Sequence, residues 1–227
     1  MSRFWLAPHV VACITDTAAV FLDLERDRYR ALGARMHVRL GQLIDGWPVS
    51  NCADALEPVP HNVTAELLST GILAPEQRPR RFQQSALPMK PTTCVLSTPT
   101  TTVRLRDAWT FSRSCYWARH SLRTRSLLDV AIELSDTKQA LEFGATDVRQ
   151  QVSRFRALRV WSFSAQDRCL FHALALTHFL LRQRIPATWV IGVRTQPWSA
   201  HSWVQLDSML LDATPEQIAP FTVILAI

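Results

Sequence analysis

Cys169 opens an apolar run, Cys169-Leu170-Phe171-His172-Ala173-Leu174-Ala175-Leu176, directly behind the polar pair Asp167-Arg168. That transition marks a helix with cysteine in its first turn. A strand over 190–194, a polar turn and a second strand opening at His201 follow, so a helix N-terminus and a β-hairpin must share one fold. The first turn of a helix has unpaired N–H groups and the positive end of the helix dipole, and both favour thiolate over thiol. A histidine brought beside such a thiolate can take and return protons near neutral pH.

A cysteine on a helix followed by a histidine on a strand is the arrangement of papain-like and transglutaminase-like enzymes. The stretch Ile185-Pro186-Ala187-Thr188-Trp189-Val190-Ile191-Gly192-Val193-Arg194, continued by Ala200-His201-Ser202-Trp203-Val204, resembles the C-terminal signature of the lasso-peptide maturation proteases, the B proteins of those biosynthetic clusters. The Cys-Leu-x-x-x-x-Ala-Leu helix at Cys169 matches as well. The resemblance implies a transglutaminase-like fold used as a leader peptidase without a cofactor. Such an enzyme cuts a lasso-peptide precursor, and an asparagine-synthetase-like, ATP-dependent macrolactam cyclase then closes the released core. No nucleotide loop is visible in this chain, so any ATP requirement would come through that partner.

No apolar run approaches the length of a membrane span, and the N-terminal apolar region is too short for a secretory signal, so a cytoplasmic protein is expected. The five cysteines, Cys13, Cys52, Cys94, Cys115 and Cys169, show no CxxC or clustered Cys/His spacing. A disulfide framework and a metal site are therefore not expected, and only Cys169 has the context of a nucleophile. The net charge of +6 is carried almost wholly by arginine, the only lysines being Lys90 and Lys138. Arg104, Arg106, Arg113, Arg119, Arg123 and Arg125 form a basic run relieved mainly by Asp107. Its ordinary reading is a solvated helix face.

The expected fold class is α+β: a winged-helix-like domain of three strands and three helices over 1–75, a proline-rich linker over 76–103, and a transglutaminase-like cysteine protease domain over 104–227. Strand patterns cover 4–6, 10–14, 18–24 and 28–32, with a polar turn at Glu25-Arg26-Asp27. Gly33 opens a first helix that Gly46-Trp47-Pro48 stops. Ser50 caps a short second helix, and a third, capped near Asn62, runs to Gly71. This unit resembles the domain that binds leader peptides in several ribosomal-peptide pathways. The resemblance implies that the leader adds as a strand along Arg28, Tyr29, Arg30, Ala31 and Leu32 and packs on the helix bearing Asn62 and Glu66. The five prolines of 75–102, set among Gln, Ser and Thr, read as an extended linker. Helical spacing then covers 104–119, 122–134 and 146–160.

Thiolate attack on a peptide carbonyl needs a base, an orienter for that base and donors for the oxyanion. Cys169 is the nucleophile and His201 the base. The Cys169 amide is one oxyanion donor, and Gln166 is a candidate second. His172 and His178 lie on the cysteine helix itself and read as packed polar residues. Asp207 lies six residues from His201, about 20 Å along one strand and out of reach. A two-residue turn at Asp207-Ser208 pairs Leu206 with Met209 and sets Asp212 opposite Trp203, on the face of His201. Asp212 is therefore the expected orienter, although the family places this aspartate one residue further on, inside Asn-Asp. Trp198 and Trp203 flank His201 as packing aromatics. Two other functions compete. The same triad serves acyl transfer in transglutaminases and arylamine acetyltransferases, and the basic, winged-helix-like N-terminus fits a nucleic-acid-binding regulator. Residues 62–69 lack a dense base-reading set, which argues against the regulator.

Overall fold

In the computed structural model the described residues are 3–47, 59–86, 91, 93–95, 102–142, 144, 146–159 and 169–227. The first strand, β1 (Trp5–Leu6), is followed by an antiparallel meander of β2 (Val10–Ile14), β3 (Ala18–Asp23) and β4 (Arg28–Gly33). Two side-chain turns join the meander. Thr15 Oγ1 takes the Ala18 N–H at 3.1 Å and donates to the Ala18 carbonyl at 2.9 Å. The Asp23 carboxylate takes the N–H groups of Glu25 and Arg26, both at 3.0 Å, and Asp27 turns the chain at φ 54. Such Asx turns use the short acidic side chain as a substitute acceptor for backbone amides.

Helix α1 (Ala34–Leu43) starts at Gly33. The next described helix, α2 (His61–Ser69), is capped by Pro60 without a side-chain hydrogen bond, two residues earlier than the cap expected near Asn62. Proline presets the helical φ and has no N–H to satisfy there. Gly71, at φ 75, closes α2 as its own N–H bonds to Leu68 O and that of Ile72 to Leu67 O. Strand β5 (Leu73–Ala74) then pairs antiparallel with β1, an element too short to read from sequence. The short helix expected after Ser50 lies outside the described residues.

Residues of the proline-rich stretch are built into the fold. Phe82 and Val95 are buried in the main apolar cluster. The Ser85 N–H bonds to Ala226 O at 3.0 Å, the Gln83 N–H to Ser135 Oγ at 3.0 Å, and Arg80 to Val10 O at 3.2 Å. Strand β6 (Thr93–Cys94) joins the C-terminal sheet. Helices α3 (Leu105–Thr124), α4 (Leu127–Ala140), α5 (Val148–Arg159) and α6 (Cys169–Arg182) follow. The break between α3 and α4 falls at Arg125, later than the periodicity suggested, because Ser126 forms a capping box with Asp129. Strands β7 (Thr188–Thr195), β8 (Trp198–Leu206) and β9 (Met209–Leu210), a turn of helix α7 (Pro215–Ile218) and β10 (Thr222–Ala226) complete the chain. The sheet order is β10-β7-β8-β9-β6, antiparallel except for the β6–β9 pair.

Every residue of β3 is buried, and its two faces serve different partners. Ala19 and Phe21 pack with Leu40, Ile44, Trp47 and Leu67 of the N-terminal helices and the loop beyond α1. Ala18, Val20 and Leu22 belong instead to the cluster that contains Leu174, Phe179, Trp189 and Leu225. The N-terminal sheet is thus sandwiched between its own helices and the C-terminal half. Two hydrogen bonds fasten the junction: the Asp27 carboxylate accepts from the Leu127 N–H at 2.9 Å, and the Leu128 N–H donates to Leu24 O at 2.8 Å.

Helix α6 locks to α3 through His178, whose Nδ1 lies 2.9 Å from Ser114 Oγ and whose ring stacks on Trp117 at 4.5 Å. Burial, reinforced by Arg182, holds its pKa down at about 4. The folded state therefore binds fewer protons than the unfolded chain between that value and the ordinary 6.5. The stabilisation from a neutral His178 is complete above pH 6.5 and is lost as pH falls towards 4, a change on the order of 3 kcal/mol if this group acts alone. Urea titrations across that range should show stability falling in the native protein and a flatter profile in His178→Asn. Equal slopes would remove His178 as the cause.

Candidate active site

Helix α6 is apolar on almost every side. Phe171, Ala173, Leu174, Ala175, Leu176, Thr177, Phe179, Leu180 and Leu181 are all buried, each large one contributing about 1.5–3 kcal/mol by leaving water. Cys169 is the first residue of this helix and remains only partly buried. Of the other described cysteines, Cys13 is buried, and Cys94 and Cys115 are partly buried. Burial pushes the thiols of Cys13 and Cys115 up to about 12, which leaves them protonated and inert at neutral pH. Cys52 and Gln166 lie outside the described residues.

Strand β8 carries His201 and alternates between two environments. Ala200, Val204 and Leu206 contact the cluster around α6, whereas Trp203 belongs to a second cluster with Val190, Leu210, Ile218 and Ala226. His201 shares the face of Trp203, with ring centroids 6.1 Å apart, and its ring lies 5.4 Å from Phe221. Gly192 stands opposite His201 in the β7–β8 ladder. A Cβ there would fall 2.7 Å from the Trp203 indole, so the missing side chain is what lets that indole lie flat beside the histidine. Burial lowers the His201 pKa, and the negative charge of Asp212 opposes the shift. His201 thus lies on the face of β8 turned away from α6, and among the described residues no hydrogen bond joins it to Cys169 or to Asp212.

The turn at Asp207-Ser208 has the expected register: Leu206 faces Met209 and Gln205 faces Leu210, with Asp207 at φ 50. The ladder then departs from expectation. Leu211 N–H still bonds to Val204 O at 3.0 Å. The return bond from Val204 N–H goes to Asp212 Oδ1 at 2.8 Å, while Leu211 O is taken by Arg156 at 2.8 Å. A side-chain carboxylate thus replaces one backbone rung, which puts Asp212 at the edge of β8 instead of squarely opposite Trp203. From that edge its Oδ2 lies 3.4 Å from His172 Nδ1. The structure brings Asp212 to the histidine one turn along α6 from Cys169, because helical side chains lean back towards the preceding turn. His172 also meets Phe155 edge-on at 5.5 Å, and its Nε2 is buried with no partner among the described residues.

Arg156 is a site residue that periodicity did not reveal. Its guanidinium holds the carbonyls of both Val95 and Leu211, bringing β6 and the residue before Asp212 to α5. Burial lowers its pKa, and Asp212 is the leading charge that opposes this. An arginine beside Phe155 on a polar helix carries no sequence mark of such a role.

The residues expected to bind leader lie on β4 and α2. Strand β4 ends the order β2-β3-β4, which leaves its outer edge unpaired by a described strand. Arg28 and Ala31 are exposed, Arg30 makes an ion pair with Glu66 of α2, Leu32 packs with the N-terminal cluster, and Asn62 is exposed. Tyr29 points the other way, into the cluster shared with α6. Among the described residues no three His, Cys, Asp or Glu side chains gather to hold a metal ion, and no helix is long and apolar enough to cross a membrane.

The family model described as the transglutaminase-like superfamily matches residues 109–226, which contain all four helices' main packing and every strand of the C-terminal sheet but β6. The chain is also 32% identical over 77 residues to the microcin J25-processing protein McjB of Escherichia coli. That match covers 34% of this chain and 36% of the relative, so the chain spans about a third of the relative's length. No solved structure matches.

The thiol environments generate a direct test. Brief treatment of the folded protein with iodoacetamide, followed by peptide mass mapping, should label Cys169 while Cys13 and Cys115 react only after unfolding. Labelling of Cys13 or Cys115 at the rate of Cys169 would overturn the ranking.

Proposed function

This chain belongs to the transglutaminase-like superfamily, half of it lying within the family model, and we propose that it is a cysteine peptidase that removes the leader from a lasso-peptide precursor. The observation that carries the proposal is a partly exposed cysteine at the start of a buried helix whose next turn sets His172 against a carboxylate anchored to the histidine-bearing strand. The likeness to a microcin J25-processing protein supplies the substrate class. The N-terminal sheet supports it with a strand edge along Arg28–Gly33 to which an extended leader can add. An asparagine-synthetase-like cyclase is the partner that would use the released core.

In this mechanism Cys169 passes its proton to an imidazole base and the thiolate attacks the scissile carbonyl carbon; of the two candidate bases, His201 lies on the face of β8 turned away from α6, and His172 lies one turn along α6 beside Asp212. The helix N-terminus stabilises the oxyanion, with Gln166 as the candidate second donor. The imidazolium returns the proton to the leaving nitrogen as the C–N bond breaks, which leaves a thioester on Cys169. Water, activated by the neutral imidazole, then hydrolyses the thioester and restores the thiol. Burial suits His201 to this work by keeping it neutral, and Asp212 steadies the charged form.

A second assignment of the base rests on the contact between Asp212 and His172. Single-turnover cleavage of the precursor separates the two. Cys169→Ala should abolish cleavage. His201→Ala should cost on the order of a hundredfold or more, as for loss of a general base, and His172→Ala markedly less; the reverse order assigns the base to His172. The acidic limb of the wild-type pH–rate profile should lie below the ordinary imidazole value of 6.5, because the free base persists to lower pH. Asp212→Asn removes the charge that supports imidazolium, so it should move this limb lower still and reduce the plateau. Asp207→Asn, out at the turn, should change the rate little. A Cys169→Ala protein that cuts at the wild-type rate would sink the peptidase reading.

A further inference from the structure

Tyr29 sits on the strand to which the leader is proposed to add, yet its ring leaves the N-terminal unit. It meets the indole of Trp198 edge-on, with centroids 5.4 Å apart and planes at 70°. Trp198 begins β8, three residues before His201, and it is 48% exposed. A large aromatic left this open is unusual in the described chain, where the other exposed large apolar residues all lie on α3 or just before it. The alternation of β8 gives Trp198 the same face as Ala200 and Val204, which is the face turned to α6.

The position of the pair is fixed from both halves. Thr195, at the end of β7, meets the hydroxyls of Thr15 and Thr17 in the β2–β3 turn. Leu22, which faces Tyr29 in the ladder, is fully buried in the shared cluster. Burial is the main cause that pushes the Tyr29 hydroxyl up to about 12, and the charge of Cys169 is the next. Tyr29 packs against the same cluster as Leu170 and Phe171, the two residues that follow Cys169.

We propose that Tyr29 and Trp198 form an aromatic substrate subsite beside Cys169, which takes an apolar side chain on the N-terminal side of the scissile bond. The side of the bond rests on the peptidase reading: a leader strand paired with β4 approaches the thiol from its own N-terminal end. The half-open indole offers a flat apolar surface, and Tyr29 closes one end of it. An aliphatic side chain laid there leaves water against two aromatic rings, whereas a glycine leaves the indole wet. The N-terminal sheet accordingly does two things. It pairs with the leader backbone along β4, and through Tyr29 it reads the side chain that arrives next to the cut.

Two measurements on the full chain test this. The first needs no substrate: the rates at which N-ethylmaleimide and the bulkier N-(1-pyrenyl)maleimide modify Cys169 are compared by mass mapping. Trp198→Ala and Tyr29→Ala should each raise the pyrenyl-to-ethyl rate ratio several-fold, and Tyr29→Phe, which keeps the ring, should leave it at the wild-type value. If Tyr29→Ala fails to fold, the half-exposed Trp198 carries the test. The second uses two precursor peptides that differ only in leucine or glycine before the cut. The wild-type protein should favour leucine through KM, and Trp198→Ala should lose on the order of threefold to tenfold of that preference, the scale of one aromatic contact, with kcat little changed. Unchanged maleimide ratios in Trp198→Ala overturn the subsite. A changed ratio with an unchanged leucine preference overturns its role in specificity. Failure of the wild-type protein to cut either peptide, with the maleimide ratios shifted as stated, rejects the peptidase reading and leaves the aromatic wall beside Cys169 standing.

Discussion

The burial of α6 is the constraint on which the rest depends. A helix with Phe171, Leu174, Leu176, Phe179 and Leu180 removed from water cannot lie at a surface. Apolar partners must cover it from several directions, and they come from every part of the chain: Val20 and Leu22 of β3, Phe111 of α3, Phe155 of α5, Trp189 of β7 and Leu225 of β10. So fully enclosed a helix reaches solvent mainly at its ends, Arg182 at one and the partly buried Cys169 at the other. Packing is therefore carried by the body of the helix, and its first turn leaves the Cys169 thiol partly open.

The surroundings of the tip follow from hydrogen-bond accounting. Buried amides and carbonyls must find partners, and near the end of the β8–β9 ladder side chains supply them. Asp212 takes the Val204 N–H and Arg156 takes the Leu211 carbonyl. This exchange ties a negative charge to the edge of the histidine-bearing strand and a positive charge to the residue just before it. The carboxylate is then held by backbone geometry, independently of either imidazole, which is how it can serve His201 at a distance and His172 at 3.4 Å.

Much of this was legible in the residues and some could not be. Strand β2 has the expected bounds, and β3 and β4 differ by a residue at one end, because each is an apolar run bounded by turn chemistry at Thr15 and at Asp23–Asp27. The pairing of Leu206 with Met209 follows from the two-residue turn alone. The cysteine helix begins where polarity gives way to apolar residues. What sequence withheld is tertiary. A continuous apolar strand such as β3 announces that both faces are covered, but not that one of its covers lies more than a hundred residues away. Strands of two residues, β5 and β6, have no period to detect. Phe82 and Val95 are isolated apolar residues in a proline-rich stretch and acquire meaning only from the cluster that receives them. Arg156 and His172 are ordinary helix residues until the strand edge they meet is known.

The sheet proposed to bind leader and the helix that bears Cys169 share a core, and this limits how such chains can diversify. A recognition unit joined by a loose tether could be exchanged between enzymes as a cassette. Here Val11, Val20, Leu22 and Leu24 are as much a part of the C-terminal half as of their own sheet. A change of leader preference is free to accumulate on the outward residues of β4 and α2, such as Arg28, Ala31 and Asn62. Substitutions on the inward face of the same sheet must be matched by substitutions around α6. Recognition and chemistry in this lineage should therefore descend together, with the seam between them the slowest part of the molecule to change.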